Sequence, residues 1–138
     1  MRLVIDANEL FSAIISVGKG RFTKKVDILF SDSVQLCAPD LLFRELENNA
    51  AIIKEKAGFF DSDFEVFIQI LRLRIKTVPL SESKLKEAKM ISPNLKDLPY
   101  FAVAFALNCP IWSGDKALKQ QSKVQVYNTE ELVKEFQL

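Results

Sequence analysis

The sequence contains no histidine among its 138 residues. A chain without imidazole cannot form a Ser-His-Asp triad, a histidine acid–base pair or a histidine-liganded zinc site. Carboxylates, lysines and hydroxyls remain as catalytic groups. If the protein is an enzyme, we expect these groups to work together with a bound hard cation.

Cysteine is also scarce. Cys37 and Cys109 lie far apart in apolar surroundings without CxxC spacing, which is typical of small buried side chains rather than of a disulfide or a zinc site. The N-terminal residues lack the pattern of a secretion signal. The longest apolar stretch, 99–112, is interrupted by Pro110 and is shorter than the roughly 20 residues of a membrane span. We therefore expect a cytoplasmic protein with no membrane partner.

The charge is nearly balanced. Lys and Arg number 19 against 18 Asp and Glu, so the net charge of +1 provides no overall attraction to nucleic acid or membrane. The length and the hydrophobic content of 49% suit one domain over residues 1–138 with a substantial core. Any site for a polyanion must be local.

Short apolar runs alternate with segments of helical periodicity, which is typical of a parallel sheet flanked by helices. We therefore predict an α/β fold with three layers, α/β/α, around a central parallel sheet of about five strands. The predicted strands are 2–5, 34–38, 75–79, 110–113 and 124–127. The main predicted helices are 9–15, 22–30, 41–49, 50–56, 61–74, 99–107 and 130–136, with another after Ser81.

Several residues indicate where helices begin. Pro39 is placed to open the helix after the second strand. Asp61, Ser62 and Ser81 are candidate N-caps, and Asn128 with Glu131 has the spacing of a capping box. Gly58 is expected to end the helix 50–56.

Two acidic residues follow the first two predicted strands. Asp6 comes directly after the first strand, where it could simply cap the next helix. Glu45 lies in the helix after the second strand, and its rival Glu47 falls on a different face of that helix. Ligands bind parallel sheets at the carboxyl ends of the strands. Asp6 and Glu45 are thus candidates for such a site.

Two further acidic residues should reach the same edge. Asp97 precedes a helix of about 10 residues, which carries the chain about 15 Å away. The strand 110–113 returns it by about 13 Å, so Asp115 should emerge near Asp97. We therefore expect four acids in one cleft: Asp6, Glu45, Asp97 and Asp115.

Such a cluster is unfavourable without a counter-charge. Two carboxylates about 5 Å apart repel by about 3 kcal/mol at an effective dielectric constant of about 20. Shared protons or a divalent metal can relieve this repulsion. A shell of carboxylates and water suits Mg²⁺ or Mn²⁺.

With these motifs, the sequence resembles the PIN-domain nucleases over almost its whole length. The similar segments are VIDANEL, the Glu in PDLLFREL, DLPYFAVAFAL and IWSGDKAL. The resemblance implies a metal site for Mg²⁺ or Mn²⁺ formed by the four acids, with Asn8 and Ser113 as polar support. The family more often has Thr in place of Ser113, and Ser keeps the hydroxyl.

The resemblance also implies a function. Stand-alone PIN domains of this length look like VapC-type toxins, which cleave RNA and are held inactive by an antitoxin protein. Our hypothesis gives Asp6 and Asp97 as the main metal ligands. Glu45 and Asp115 complete the site or act through water, and Asn8 orients one of the acids.

Local positive charge could bind the RNA. The segment 18–25 supplies Lys19, Arg21, Lys24 and Lys25 as candidate phosphate contacts, although a solvated helix face is the alternative for each. Arg72 and Arg74 are better explained as surface residues at a helix end. Trp112 and the many Phe residues are predicted to be core.

Other readings remain open. A haloacid-dehalogenase-type phosphatase needs a second Asp where this sequence has Asn8, and a signalling receiver needs an acid after the third strand, 75–79. A binding module that kept the PIN-like fold without its chemistry is a third alternative. The apolar residues of 50–74 exceed what one helix face needs, which predicts a homodimer.

Overall fold

A parallel five-stranded sheet forms the centre of the protein. The computed structural model describes residues 1–92 and 94–138. The strands are β1 (Arg2–Ile5), β2 (Gln35–Pro39), β3 (Ile75–Val78), β4 (Ile111–Trp112) and β5 (Val126–Tyr127). Their order in the sheet is β3-β2-β1-β4-β5. The strand order reverses between β1 and β4, which is where open α/β sheets bind ligands.

The helices pack in two groups. They are α1 (Ala7–Gly18), α2 (Lys24–Leu29), α3 (Leu41–Asn48), α4 (Ala50–Ala57), α5 (Asp61–Arg74), α6 (Glu82–Lys89), α7 (Leu98–Leu107) and α8 (Thr129–Phe136). Helix α7 contacts β1, β2, β4 and α6, whereas α1 contacts α2, α3 and α4. This arrangement confirms the predicted α/β class with a central parallel sheet.

The core lies where β1 meets its neighbours. Leu3, Val4 and Ile5 are fully buried in succession, as expected for a strand covered on both faces. Consecutive residues of α7 from Tyr100 to Ala104 are also buried, which confirms that this helix is enclosed on several sides. Among residues 1–92 and 94–138, no helix is both long and apolar enough to cross a membrane.

Several sequence signals mark helix ends as predicted. The Ser81 hydroxyl accepts a hydrogen bond from the Lys84 N–H and caps α6. Asn128 and Glu131 form the reciprocal capping box of α8. Gly58, at φ +79°, ends α4 in the left-handed conformation that glycine adopts without strain.

Two predicted helix starts were wrong. Pro39 is the last residue of β2, paired with Val78, because a proline is tolerated where the ladder of hydrogen bonds ends. Asp61 is the first residue of α5, not its cap. Phe60 occupies the cap position, and no side chain of the described residues caps this helix. Asp61 instead forms an ion pair with Lys54.

The aromatic residues divide between core and surface. Trp112 is fully buried as predicted, but Phe22 and Phe60 are 80% and 78% exposed. The prediction failed for Phe22 because α2 begins only at Lys24, so the helical spacing that placed Phe22 on the core face does not apply.

One buried hydrogen bond links the sheet to the last helix. The Trp112 indole N–H donates to the Thr129 hydroxyl over 3.1 Å. Thr129→Val keeps the shape but leaves the N–H unpaired, which costs about 1–3 kcal/mol. We expect a thermal midpoint lower by at least about 3 °C. Thr129→Ser should retain most of the stability, and Thr77→Val, at an exposed site on β3, should change little. Calorimetry that finds Thr129→Val as stable as the wild type would contradict the importance of this bond.

Candidate acidic site

Asp6 and Ser113 meet because β1 and β4 are neighbouring parallel strands. Each residue directly follows its strand, and the Ser113 hydroxyl donates to Asp6 Oδ2 over 2.7 Å. Asp6 also occupies the N-cap position of α1, yet within the part of the chain that the structure describes its side chain makes no capping hydrogen bond. The capping alternative therefore does not explain this carboxylate.

The structure separates Glu45 from Glu47. Glu45 Oε1 accepts a hydrogen bond from the Tyr100 hydroxyl over 3.1 Å, which turns it toward α7. Glu47 faces the surface and forms an ion pair with Arg72 at 3.0 Å. Arg74 donates to backbone carbonyls of residues 29 and 31. Both arginines, near the C-terminal end of α5, thus form contacts within the protein.

Asp97 ends a short 3₁₀ helix, Leu95–Asp97, and immediately precedes α7. Its side chain is only 7% exposed. Within the described ranges, Asp97 Oδ2 is buried without a hydrogen-bond partner. Asp115 follows β4, and its Oδ1 accepts from the Ala117 N–H over 2.9 Å. Asp97 therefore has one buried acceptor oxygen that receives no hydrogen bond from the described residues.

The four predicted acids line one pocket of about 260 Å³, which we call the acidic pocket. They come from the ends of β1 and β4, from α3 and from the start of α7. The pocket residues are Asp6, Ala7, Asn8, Leu41, Glu45, Lys96, Asp97, Tyr100 and Asp115. Asn8 lies in the pocket wall, and Ser113 lies behind it as the hydrogen-bond donor to Asp6.

Burial and mutual repulsion raise the pKa of three of these carboxyls. For Asp6, burial is the main cause and Asp97 adds to it, while the Ser113 hydrogen bond opposes the shift. Burial likewise raises the pKa of Glu45, against the Tyr100 hydrogen bond. Burial raises the pKa of Asp97, with Lys96 opposing and Asp115 adding to the increase. Burial and the neighbouring carboxylates thus disfavour the ionised form of these three groups.

Glu9 holds the loop that follows β4. Its Oε1 accepts from the Gly114 N–H over 2.9 Å, and its Oε2 lies 3.0 Å from Lys25 Nζ. A Cβ at residue 114 would stand 3.0 Å from Glu9 Oε1, so the close approach favours glycine. Ser113 and Asp115 flank this anchored glycine. Glu9 therefore positions the loop that completes the acidic pocket.

The four basic residues of 18–25 have different surroundings in the structure. Lys25 pairs with Glu9, and Lys24 lies 3.8 Å from Asp27 on the same helix. Lys19 and Arg21 instead line a separate groove between α1 and α4. Of these four cations, Lys19 and Arg21 are the ones for which the described residues provide no ion-pair partner.

Sequence reasoning missed three residues of the site: Glu9, Lys96 and Tyr100. Helical spacing could have identified two of them. Glu9 is three residues after Asp6 and Tyr100 three after Asp97, so each shares a helix face with a predicted acid. Lys96 precedes Asp97 directly and carried no such signal.

The pocket chemistry suits a hard cation. Across the described residues, no three acidic or thiol side chains are arranged to hold a metal ion together. Mg²⁺, however, usually binds through one or two carboxylates and keeps several waters. Four carboxylates in one pocket, one with a buried unpaired oxygen, meet that requirement. The residues therefore fit Mg²⁺ or Mn²⁺ without converging on a single point.

The raised pKa values predict how the protein responds to pH without metal. Each raised group stabilises the fold below its ordinary pKa, 3.8 for Asp and 4.5 for Glu, and loses that effect as pH rises through its higher folded value. In EDTA, the thermal midpoint should therefore fall as the pH rises above these ordinary values, in part because of these groups. Asp97→Asn should raise the midpoint at pH 7 by about 3 °C or more and reduce its pH dependence.

The matched control is Glu55→Gln, which removes one exposed charge from α4. It should leave both the midpoint and its pH dependence nearly unchanged. If Asp97→Asn behaved like this control, the carboxylates of the pocket would not be in electrostatic conflict.

Comparison with known proteins agrees with this geometry. A solved structure of VapBC2 from Rickettsia felis, bound to a DNA fragment from their promoter, contains a similar chain with a TM-score of 0.64. The likeness covers 93% of this chain and 98% of that chain at 14% identity, so it shows a shared fold. A search of curated proteins gave no match. The sequence profile described as PIN domain matches residues 4–137. The chain therefore belongs to the PIN domain family.

Proposed function

We propose that residues 1–138 form one PIN nuclease domain that cleaves RNA with Mg²⁺ or Mn²⁺ as cofactor. The observation that carries the proposal is the acidic pocket, where four carboxylates from distant segments share about 260 Å³ at the reversal point of the sheet. A site built to concentrate negative charge suits a divalent cation that bridges protein and phosphate. Membership of the PIN domain family supports the same reaction class.

Asp6 and Asp97 would be the main ligands of the ion. Asp97 supplies the buried unpaired oxygen, and Asp6 lies between β1 and β4 with its carboxylate held by Ser113. Glu45 and Asp115 would complete the site directly or through water. When bound, the ion would activate water for attack on a phosphodiester and offset charge on the phosphate oxygens.

The protein's own hydrogen bonds prepare the carboxylates for that role. The Ser113 hydroxyl donates to Asp6 and the Tyr100 hydroxyl donates to Glu45. Each bond stabilises the ionised carboxylate against the burial that favours its protonated form. The acceptor oxygens are Asp6 Oδ2 and Glu45 Oε1. Asn8, in the pocket wall, can orient one of the acids through its amide.

The biological role we propose is that of the toxin in a toxin–antitoxin pair. The fold is shared with a chain of a VapBC2 complex over nearly the full length of both chains. We therefore propose an antitoxin protein as partner, RNA as substrate and the cytoplasm as the location. Lys19 and Arg21 are the proposed phosphate contacts. Lys24 and Lys25, which the sequence placed in the same group, have acidic partners within the protein.

The direct test is cleavage of single-stranded RNA by the purified protein with Mg²⁺, Mn²⁺ or EDTA. We expect cleavage that needs metal and falls at least about 100-fold in Asp6→Asn and Asp97→Asn, since each removes a ligand charge. Glu55→Gln should cleave like the wild type. Full metal-dependent activity in Asp6→Asn would overturn the ligand assignment. Metal-independent RNA binding without any cleavage would favour the alternative, a binding module that has lost its chemistry.

Thermal stability tests the metal separately from the reaction. An ion that binds only the folded state raises the midpoint by mass action. Millimolar Mg²⁺ or Mn²⁺ should therefore raise the wild-type midpoint and shift Asp97→Asn much less. Equal shifts in both proteins would place the ion outside the acidic pocket.

We also propose a homodimer formed through α5. Val66, Ile70 and Leu73 lie on one face of this helix and are 62%, 42% and 89% exposed. Light scattering should give twice the chain mass for the wild type, and Val66→Asp with Leu73→Asp should give the mass of one chain. The exchange Glu65→Lys, beside this face, should be milder. A wild type that is monomeric at high concentration would contradict the proposal.

A further inference from the structure

A groove separate from the acidic pocket lies between α1 and α4. Its volume is about 410 Å³, and we call it the basic groove. Three cationic side chains line it: Lys19 and Arg21 after α1, and Lys56 on α4. Phe11 and Ile52 contribute apolar surface. The groove thus combines positive charge with a flat apolar wall.

The positive charge of the groove is not neutralised by the protein. All three cations are exposed, and the described residues provide none of them with an ion pair or a side-chain hydrogen bond. No carboxylate is found among the described residues that line the groove. The neighbouring Lys24 and Lys25 differ, since each has an acidic partner. Uncompensated cations in a concave site attract an anion from solution.

The basic groove adjoins the acidic pocket. Asn8, in the first turn of α1, lines both. The two helices that form the groove are packed tightly, because a Cβ on Gly18 would stand 2.5 Å from the Ala57 Cβ. A chain-like ligand in a preformed groove could therefore continue past Asn8 into the acidic pocket.

We infer that the basic groove holds a single-stranded segment of the substrate RNA next to the bond cleaved in the acidic pocket. The inference rests on the proposed ribonuclease function for the identity of its ligand. Phosphates would contact the cations, and one unstacked base would lie against Phe11 and Ile52, which is 54% exposed. Paired RNA cannot turn its bases outward in this way.

An acidic protein segment is the other ligand that the charge could attract. It is less favoured here because a nucleotide brings a phosphate and a flat ring together, which matches the cations and the aromatic wall of one groove. Acidic side chains supply the charge without the ring. The test therefore includes a peptide of glutamates.

The test is fluorescence anisotropy of a labelled 12-nucleotide single-stranded RNA in EDTA, where cleavage is prevented. Lys19→Gln with Lys56→Gln should weaken binding and lower the slope of log affinity against log salt by about 1.4, as expected for two lost phosphate contacts. The matched control, Lys86→Gln with Lys89→Gln, removes the same charge from exposed positions on α6 and should leave the slope unchanged.

A second variant tests the apolar wall. Phe11→Leu should weaken binding by about fivefold or more, the lower end of what a stacked base contributes, without changing the salt slope. Its thermal midpoint is measured beside it, so that loss of binding through misfolding is recognised. Phe11→Tyr, which keeps the ring, should bind like the wild type.

Three results would overturn the inference. The first is equal loss of RNA binding in the Lys19→Gln/Lys56→Gln variant, here the groove pair, and in the Lys86→Gln/Lys89→Gln variant, here the α6 pair. That result would mean that RNA responds to the general surface charge and not to the groove. The second is displacement of the RNA by a 12-residue glutamate peptide at or below the concentration at which unlabelled RNA displaces it, which would indicate a protein ligand. The third is binding of duplex RNA that depends on Lys19 and Lys56 as strongly as the binding of single-stranded RNA does.

Parallel cleavage assays separate this inference from the proposed function. If the wild type cleaves RNA and the groove pair binds and cleaves like the α6 pair, the groove inference fails and the nuclease stands. If RNA binding depends on the groove but no metal supports cleavage, the groove stands and the nuclease proposal fails. If wild-type protein neither binds nor cleaves RNA, both fail.

Discussion

The acidic pocket at the reversal point of the sheet depends on how the protein offsets the repulsion among its carboxylates. Asp6, Glu45, Asp97 and Asp115 share a pocket, and burial raises the pKa of three of them. The surrounding structure accommodates that charge through specific donors. The hydroxyls of Ser113 and Tyr100 each donate a hydrogen bond to one carboxylate, and the positive charge of Lys96 opposes the rise in the pKa of Asp97. A divalent cation would relieve the remaining repulsion, and the metal-dependent nuclease that we propose rests on this arrangement.

The positive charges of the first helical region have two distinct uses. Lys25 forms an ion pair with the buried Glu9, which in turn accepts a hydrogen bond from the loop that carries Ser113 and Asp115. Lys19 instead lines the basic groove, where the described part of the chain provides it with no ion pair. Opposite charges are thus placed side by side, with an acidic pocket for a cation and a basic groove for an anion joined at Asn8. A substrate that is itself a polyanion would need both.

Much of the fold could be predicted from sequence because its signals are local. The apolar run of β1, the glycine that ends α4 and the capping box of α8 each act within a few residues. The failures were also local conflicts. Pro39 can begin a helix or end a strand, and only its pairing with Val78 selects the second. Phe22 has core-like spacing, but the helix starts two residues later and leaves it in solvent.

For the site, the sequence determined which residue types follow each strand, and the rule that parallel strands end at one edge was enough to place four acids together. The absence of histidine excluded a histidine-liganded metal site. Only the tertiary structure decided the contacts across the chain. It turned Glu45 rather than Glu47 toward α7, bound Lys25 to Glu9, and placed Lys19 and Lys56 along one groove without ion-pair partners among residues 1–92 and 94–138. These contacts join residues that are distant in the sequence and come together only when α1, α3, α4 and α7 pack. The spacing of residues within one segment therefore cannot predict them.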